Sequence, residues 1–148
     1  MFWVNPVFSN ILVAIDGSKA SDLAFACALS EAALHGAKLH AVYVVETGLF
    51  SSLPADNTVE IMYSALEKEG EEAIAKARTL AKEGGITLTT SMKQGHAGNE
   101  IVTLAEQQNA DLIIVGSHGK SKADRLLLGS VSNYVVTHGM ITTLVVRS

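Results

Sequence analysis

The residues best suited to chemistry lie in Val115-Gly116-Ser117-His118-Gly119 and, further on, Leu128-Gly129-Ser130-Val131-Ser132. Two glycines stand three apart, a third follows ten residues later, and Ser130 and Ser132 come directly behind it. Glycine lets a backbone approach a ligand closely and adopt positive φ. The first N–H groups of a helix lack intrahelical partners and carry partial positive charge. Ser130 and Ser132 would add hydroxyl donors. Phosphate is the natural guest of such an assembly. A glycine pair alone is as readily a plain strand-to-helix turn, because short motifs match often by chance. Here the apolar run Leu112-Ile113-Ile114-Val115 leads in and the segment Val131 to Val136 leads out, which favours an anion loop at the end of a parallel sheet.

Other phosphate and nucleic-acid loops fit less well. Gly119-Lys120-Ser121 ends like a Walker A loop, but Ile114 stands where the first glycine is needed. No GxGxxG fingerprint occurs. A KH-type RNA loop at Gly116 to Gly119 would have to join two helices rather than follow a strand, and the net charge has the wrong sign.

Asp16 closes the first apolar run. A carboxylate there can accept from a ribose or help hold a metal, or it can bond its own backbone in the Asp16-Gly17 turn. Gly95 would flank a bound base or simply turn the chain. His118 would meet phosphate or stack on a ligand, against a solvated loop position. Lys120, Lys122 and Arg125 would neutralise phosphate charge, against a solvated charged loop. The other histidines, His35, His40, His96 and His138, have no metal-ligand spacing, so a divalent ion would arrive on the phosphates. No GxSxG or nucleophile–base pair is evident. Binding is therefore expected to dominate, with any hydrolysis slow.

The elements that must hold these residues alternate. Ile11 to Ile15 reads as a buried strand. Ser18 or Ser21 caps a helix running to about His35, with Leu23, Cys27, Ala28 and Leu34 as its apolar face. Leu39 to Val45 is a second strand, and 46–56 is a loop. Asn57 with Glu60 resembles a capping box. The helix behind it runs to about Glu83, with Met62, Leu66, Ala73, Ala77 and Leu80 on one side. Ile86 to Lys93 alternates as a half-exposed strand. A helix over 99–109, a strand over 112–115, a helix over 130–138 and a strand over 143–146 complete the series. Strict alternation predicts an α/β fold, a doubly wound parallel sheet with helices on both faces. Ligands bind such sheets at the carboxyl ends of the strands, where strand order reverses.

Composition agrees. The chain has 148 residues, the size of one domain, with residues 1–8 read as a leader. Its net charge of −4 and lack of a basic cluster argue against nucleic acid. A single cysteine, Cys27, forbids an intrachain disulfide and points to a reducing, cytoplasmic setting. No apolar run is long enough for a membrane span.

The spacing Gly116-x2-Gly119-x9-Gly129-Ser130, with Gly-Ser-His-Gly-Lys in front and Leu-Leu-Gly-Ser-Val-Ser behind, resembles the nucleotide loop of ATP-binding members of the universal stress protein family. The order of the other segments agrees along nearly the whole chain. The resemblance implies a five-stranded sheet of order 3-2-1-4-5, the adenine nucleotide alpha hydrolase-like fold. It implies ATP as ligand, with Mg2+ on its phosphates, ADP and AMP being close alternatives. It places Asp16 beside the nucleoside, Ala14 and Val44 beside the adenine, and Gly116, Ser117, His118, Gly119, Gly129, Ser130, Val131 and Ser132 around the phosphates. It also implies a homodimer through the last strand, Thr143 to Val146, and an unidentified protein partner. Thr142 stands where family members commonly carry proline, which loosens the approach to that strand. Two alternatives remain: an ATP-hydrolysing or adenylate-forming enzyme on a similar sheet, and a nucleotide-free dimerisation module. Asp16-Gly17-Ser18-Lys19 is a poor match to the Ser-Gly-Gly-type loop of adenylating relatives, and the glycine loop is intact.

Overall fold

The computed structural model describes residues 8–50, 56–118 and 128–148. The strands are β1 (Asn10–Ile15), β2 (Lys38–Glu46), β3 (Leu88–Gly95), β4 (Leu112–Gly116) and β5 (Thr143–Val146). The helices are α1 (Lys19–His35), α2 (Asn57–Glu83), α3 (Ala97–Gln107) and α4 (Ser130–His138), with one 3-10 turn at Thr47–Phe50. All strand pairs are parallel and the order is β3-β2-β1-β4-β5, as expected.

β1 and β4 lie inside the sheet and are covered on both faces, which is why they are unbroken apolar runs. Ile11, Val13 and Ile15 pack with Ala24, Phe25 and Ala28 of α1 and with Ile74 and Ala77 of α2. Leu12 faces the other way, among Ile101 and Ala105 of α3 and Val135 of α4. The start of β1 is tied across the sheet by Asp111. Its carboxylate accepts from Ser9 N (2.8 Å), Ser9 Oγ (2.9 Å) and Asn10 N (3.0 Å).

Several local expectations change. α1 buries a row of small residues, Ala20, Ala24, Ala28 and Ala32, whereas Leu23 and Leu34 are exposed, Leu34 by 75%. Spacing of four puts those alanines on one face, and their small side chains let the helix lie close to the sheet. Gly116 belongs to the same contact: a Cβ there would sit 2.8 Å from the Ala20 backbone carbon. α2 buries Gly70, Ile74, Ala77 and Ala81, while Met62 and Leu80, expected on its inner side, are exposed. Its cap is Asp56 rather than Asn57, and Asp56 Oδ1 accepts from Thr58 N at 2.9 Å. β3 begins two residues later than expected because Ile86 N is drawn to Ala81 O (2.8 Å) in closing α2. α3 starts at Ala97 because His96 caps it, accepting from Asn99 N. Phe8, read as the end of a leader, packs on the core and meets the His35 ring edge-on at 5.4 Å. The rest of that leader, residues 1–7, lies outside the described residues, as does 51–55 of the loop expected over 46–56.

Candidate functional site

β1 stops at Ile15, level with Tyr43 of β2, which runs on to Glu46, while β4 on the other side ends at Gly116, level with the end of β1. The connections that leave β1 and β4 run in opposite directions, to β2 and to β5, so the carboxyl ends of these two strands border the crevice where open α/β sheets take ligands. A cavity of about 370 Å³ fills it. Such a volume lies within the range of small-molecule sites.

One wall is the start of α4. Ser130, Val131 and Ser132 all line the cavity. Gly129 takes the cap position and has no side chain to cap with, so among the described residues the first N–H groups of this nine-residue helix have no side-chain acceptor at the cap. Asp16 and Ser21 also line the cavity, with Ala14 and Val44 as apolar lining. His118 reaches the cavity from the end of β4. Its Nδ1 is buried without a hydrogen-bond partner among the described residues. An orphaned buried nitrogen beside an uncapped helix start suits a polar, anionic guest.

Of the residues expected at the site, Ala14, Asp16, Val44, Gly116, His118, Ser130, Val131 and Ser132 line this one cavity. Ser117 and Gly129 are not in its lining. Gly129 N donates to Ser117 O at 2.7 Å, joining β4 to the start of α4. Ser132 does not offer its hydroxyl to a ligand: Oγ donates back to Gly129 O (3.0 Å) or Ser117 O (3.2 Å). Asp16 is both a turn residue and a cavity residue, since Oδ1 accepts from Ser18 N at 2.8 Å. Gly95 is not in the lining. It takes φ +142°, and a Cβ there would meet Glu100 Oε1 at 2.7 Å, so turn geometry accounts for this glycine. Gly119, Lys120, Lys122 and Arg125 lie outside the described residues.

Sequence reading overlooked Glu46. It lines the cavity, and its carboxylate accepts from Ala97 N (2.9 Å) and Gly48 N (3.3 Å), tying the end of β2 to the first turn of α3. An acid closing a Val-rich strand was the available signal. No group of three or more His, Cys, Asp or Glu able to hold a metal occurs among the described residues. Burial, and then the Glu31 carboxylate, push the Cys27 thiol up, which makes it a poor nucleophile. No helix of the described residues is long and apolar enough to cross a membrane.

A parallel sheet of this order, with a cavity at the carboxyl ends of its central strands and a helix start beside it, defines an α/β protein of the doubly wound kind. The chain belongs to the universal stress protein family, whose model matches residues 8–147. It is 38% identical over 141 residues to the universal stress protein MJ0531 of Methanocaldococcus jannaschii, covering 95% of this chain and 83% of that one. Its structure is similar to that of universal stress protein UspA from Lactobacillus plantarum, with a TM-score of 0.82 and 30% identity over 97% of this chain and 100% of that one. A universal stress protein solved in complex with cAMP is also similar, with a TM-score of 0.73 and 25% identity over 95% and 98% of the two chains.

Proposed function

We propose that this protein is an adenine-nucleotide-binding regulatory member of the family, taking ATP with Mg2+ carried on the phosphates. ADP and AMP share the same base, ribose and α-phosphate and belong to the same ligand class. The single observation that carries the reading is the start of α4, without a side-chain cap, lining one cavity together with Asp16. A phosphate chain needs the first feature, and ribose hydroxyls, which are donors, need the second. The base would lie over Ala14 and Val44. The cAMP complex of a relative supports the ligand class. Hydrolysis is expected to be slow or absent. Efficient phosphoryl transfer needs a positioned water and dedicated charge stabilisation, and the two described acids of the cavity, Asp16 and Glu46, are already engaged by main-chain N–H groups.

The same reading takes the chain as one family domain acting in the cytoplasm. It also takes it as a homodimer through β5. β5 is an edge strand, paired on one side to β4. Leu144 and Val136 are exposed large apolar side chains on β5 and α4. An apolar edge of this kind is a pairing template.

Titration calorimetry with ATP and Mg2+ tests the binding reading. Saturable heat, lost in Asp16→Ala with the fold retained, is the expected result. Silence at high protein concentration would sink it.

A further inference from the structure

Glu46 is the last residue of β2 and stands two beyond Val44. Alternation along a strand puts their side chains on one face of the sheet. That is the face covered by α3. Val44 packs against the cluster that includes Ile101 and Ala105, and the Glu46 carboxylate accepts from Ala97 N, at the start of α3. Val44, Glu46, Ala97 and Ile101 all line the cavity, and Glu46 is the only charged residue among the described lining of β2 and α3. The proposed function seats the phosphates at the start of α4, which follows β4. In the order β2-β1-β4 the Glu46 end of the cavity is then the base end.

The carboxylate is held there from two directions. Oε2 accepts from Ala97 N at 2.9 Å and Oε1 accepts from Gly48 N at 3.3 Å. A carboxylate has about four lone-pair sites and no donor, so two main-chain bonds fix its position and leave acceptor capacity. Neither tether involves a ligand, so the acceptor is in place before one arrives and little ordering cost falls on binding.

We propose, resting on the nucleotide reading above, that Glu46 reads position 6 of the bound purine and selects a 6-amino base over a 6-keto base. An acceptor-only group suits the N6 amine of adenine, a donor. It opposes the O6 of hypoxanthine or guanine, where acceptor would face acceptor. Base choice then lies with a side chain of β2, separately from the phosphate contacts at α4.

The test compares ATP, purine riboside triphosphate and ITP by calorimetry with Mg2+ on the full chain. Purine riboside triphosphate lacks the amine, and ITP replaces it with a carbonyl. ATP should bind about tenfold more tightly than ITP, the scale of one hydrogen bond to a charged acceptor, with purine riboside triphosphate between them. Glu46→Gln keeps an oxygen for Ala97 N and gains an amide donor that suits O6, so the ATP-to-ITP ratio should fall to about twofold or less. A role confined to holding α3 would lower all three affinities together and leave that ratio at its wild-type value. Equal binding of ATP and ITP by the wild type, or a ratio unmoved in Glu46→Gln, would overturn the inference while the nucleotide reading stands. Absence of binding by all three would overturn both.

Discussion

The Ser132 hydroxyl lies 3.2 Å from the main-chain carbonyl of Ser117, fifteen residues earlier in the chain. With the Gly129 N to Ser117 O bond of 2.7 Å, it fastens the start of α4 to the end of β4. The second serine behind the third glycine therefore positions the anion-binding turn, and main-chain N–H groups are left to meet the ligand. Ser132→Ala should cost about 1 kcal/mol of stability, the scale of one buried hydrogen bond. It should also weaken ATP binding, because the turn loses a tether. Urea unfolding and calorimetry of the same variant check both. Ser130→Ala, at an exposed cavity position, should leave stability unchanged.

Asp16 does two jobs that substitution can separate. Asp16→Asn keeps an oxygen to accept from Ser18 N but loses the charge that strengthens a hydrogen bond from a ribose. ATP affinity should fall about tenfold, with stability changed by less than about 0.5 kcal/mol. Asp16→Ala should lose both. Equal ATP affinity in wild type and Asp16→Asn would remove Asp16 from the ligand.

Gly116 owes its identity to packing against α1. A Cβ would stand 2.8 Å from the carbonyl carbon and 2.9 Å from the carbonyl oxygen of Ala20, both backbone atoms. Gly116→Ala should destabilise the fold by about 1–3 kcal/mol, the usual range for overpacking. A shift in the urea midpoint at constant slope is the expected signature.

His40 couples stability to pH. Its ring lies between β2 and β3, with Nδ1 2.6 Å from Thr89 Oγ1 and Nε2 2.7 Å from Ser91 Oγ. The side-chain amide of Gln108 also reaches Nδ1, at 3.3 Å, which favours the neutral ring with its proton on Nε2. Burial, and then the Lys93 ammonium, hold this histidine below the ordinary value of 6.5. The unfolded chain then binds the extra proton more readily. The contribution is fully present above pH 6.5 and is lost as pH falls through the folded value. Unfolding free energy should decline between pH 7.5 and pH 5, and His40→Gln should flatten that slope. An unchanged slope in the variant would contradict the assignment.

The homodimer reading rests on the β5 edge. Leu144→Lys puts a charge on that edge, a device that blocks strand pairing. Light scattering should give a dimer for wild type and a monomer for Leu144→Lys, with the far-ultraviolet spectrum unchanged.

How far these features can be read in the sequence depends on what makes each one. The doubly wound parallel sheet is legible because the buried strands are uninterrupted apolar runs separated by helical segments, as in Leu112 to Val115, whereas the strand order comes from the family resemblance. The inner face of α1 is not, because its contacts come from Ala20, Ala24, Ala28 and Ala32, whose small side chains carry little hydrophobic contrast. Leu23 and Leu34 carried the stronger signal and point outward. That His118 and the Ser130 to Ser132 turn line one cavity is legible from the glycine spacing, and that Asp16 joins them from the order of the segments and the family resemblance. Glu46 is not, since its role depends on Ala97, far along the chain and adjacent only in the folded sheet.

The central claim, that the cavity above β1 takes an adenine nucleotide, is tested most directly by denaturing freshly purified protein and identifying what is released by mass spectrometry, with the amount per chain. ATP, or another adenine nucleotide, approaching one per chain is the predicted result. A protein that releases none, and that gives no calorimetric heat with ATP and Mg2+, would contradict the claim and leave a nucleotide-free dimerisation module as the reading to pursue.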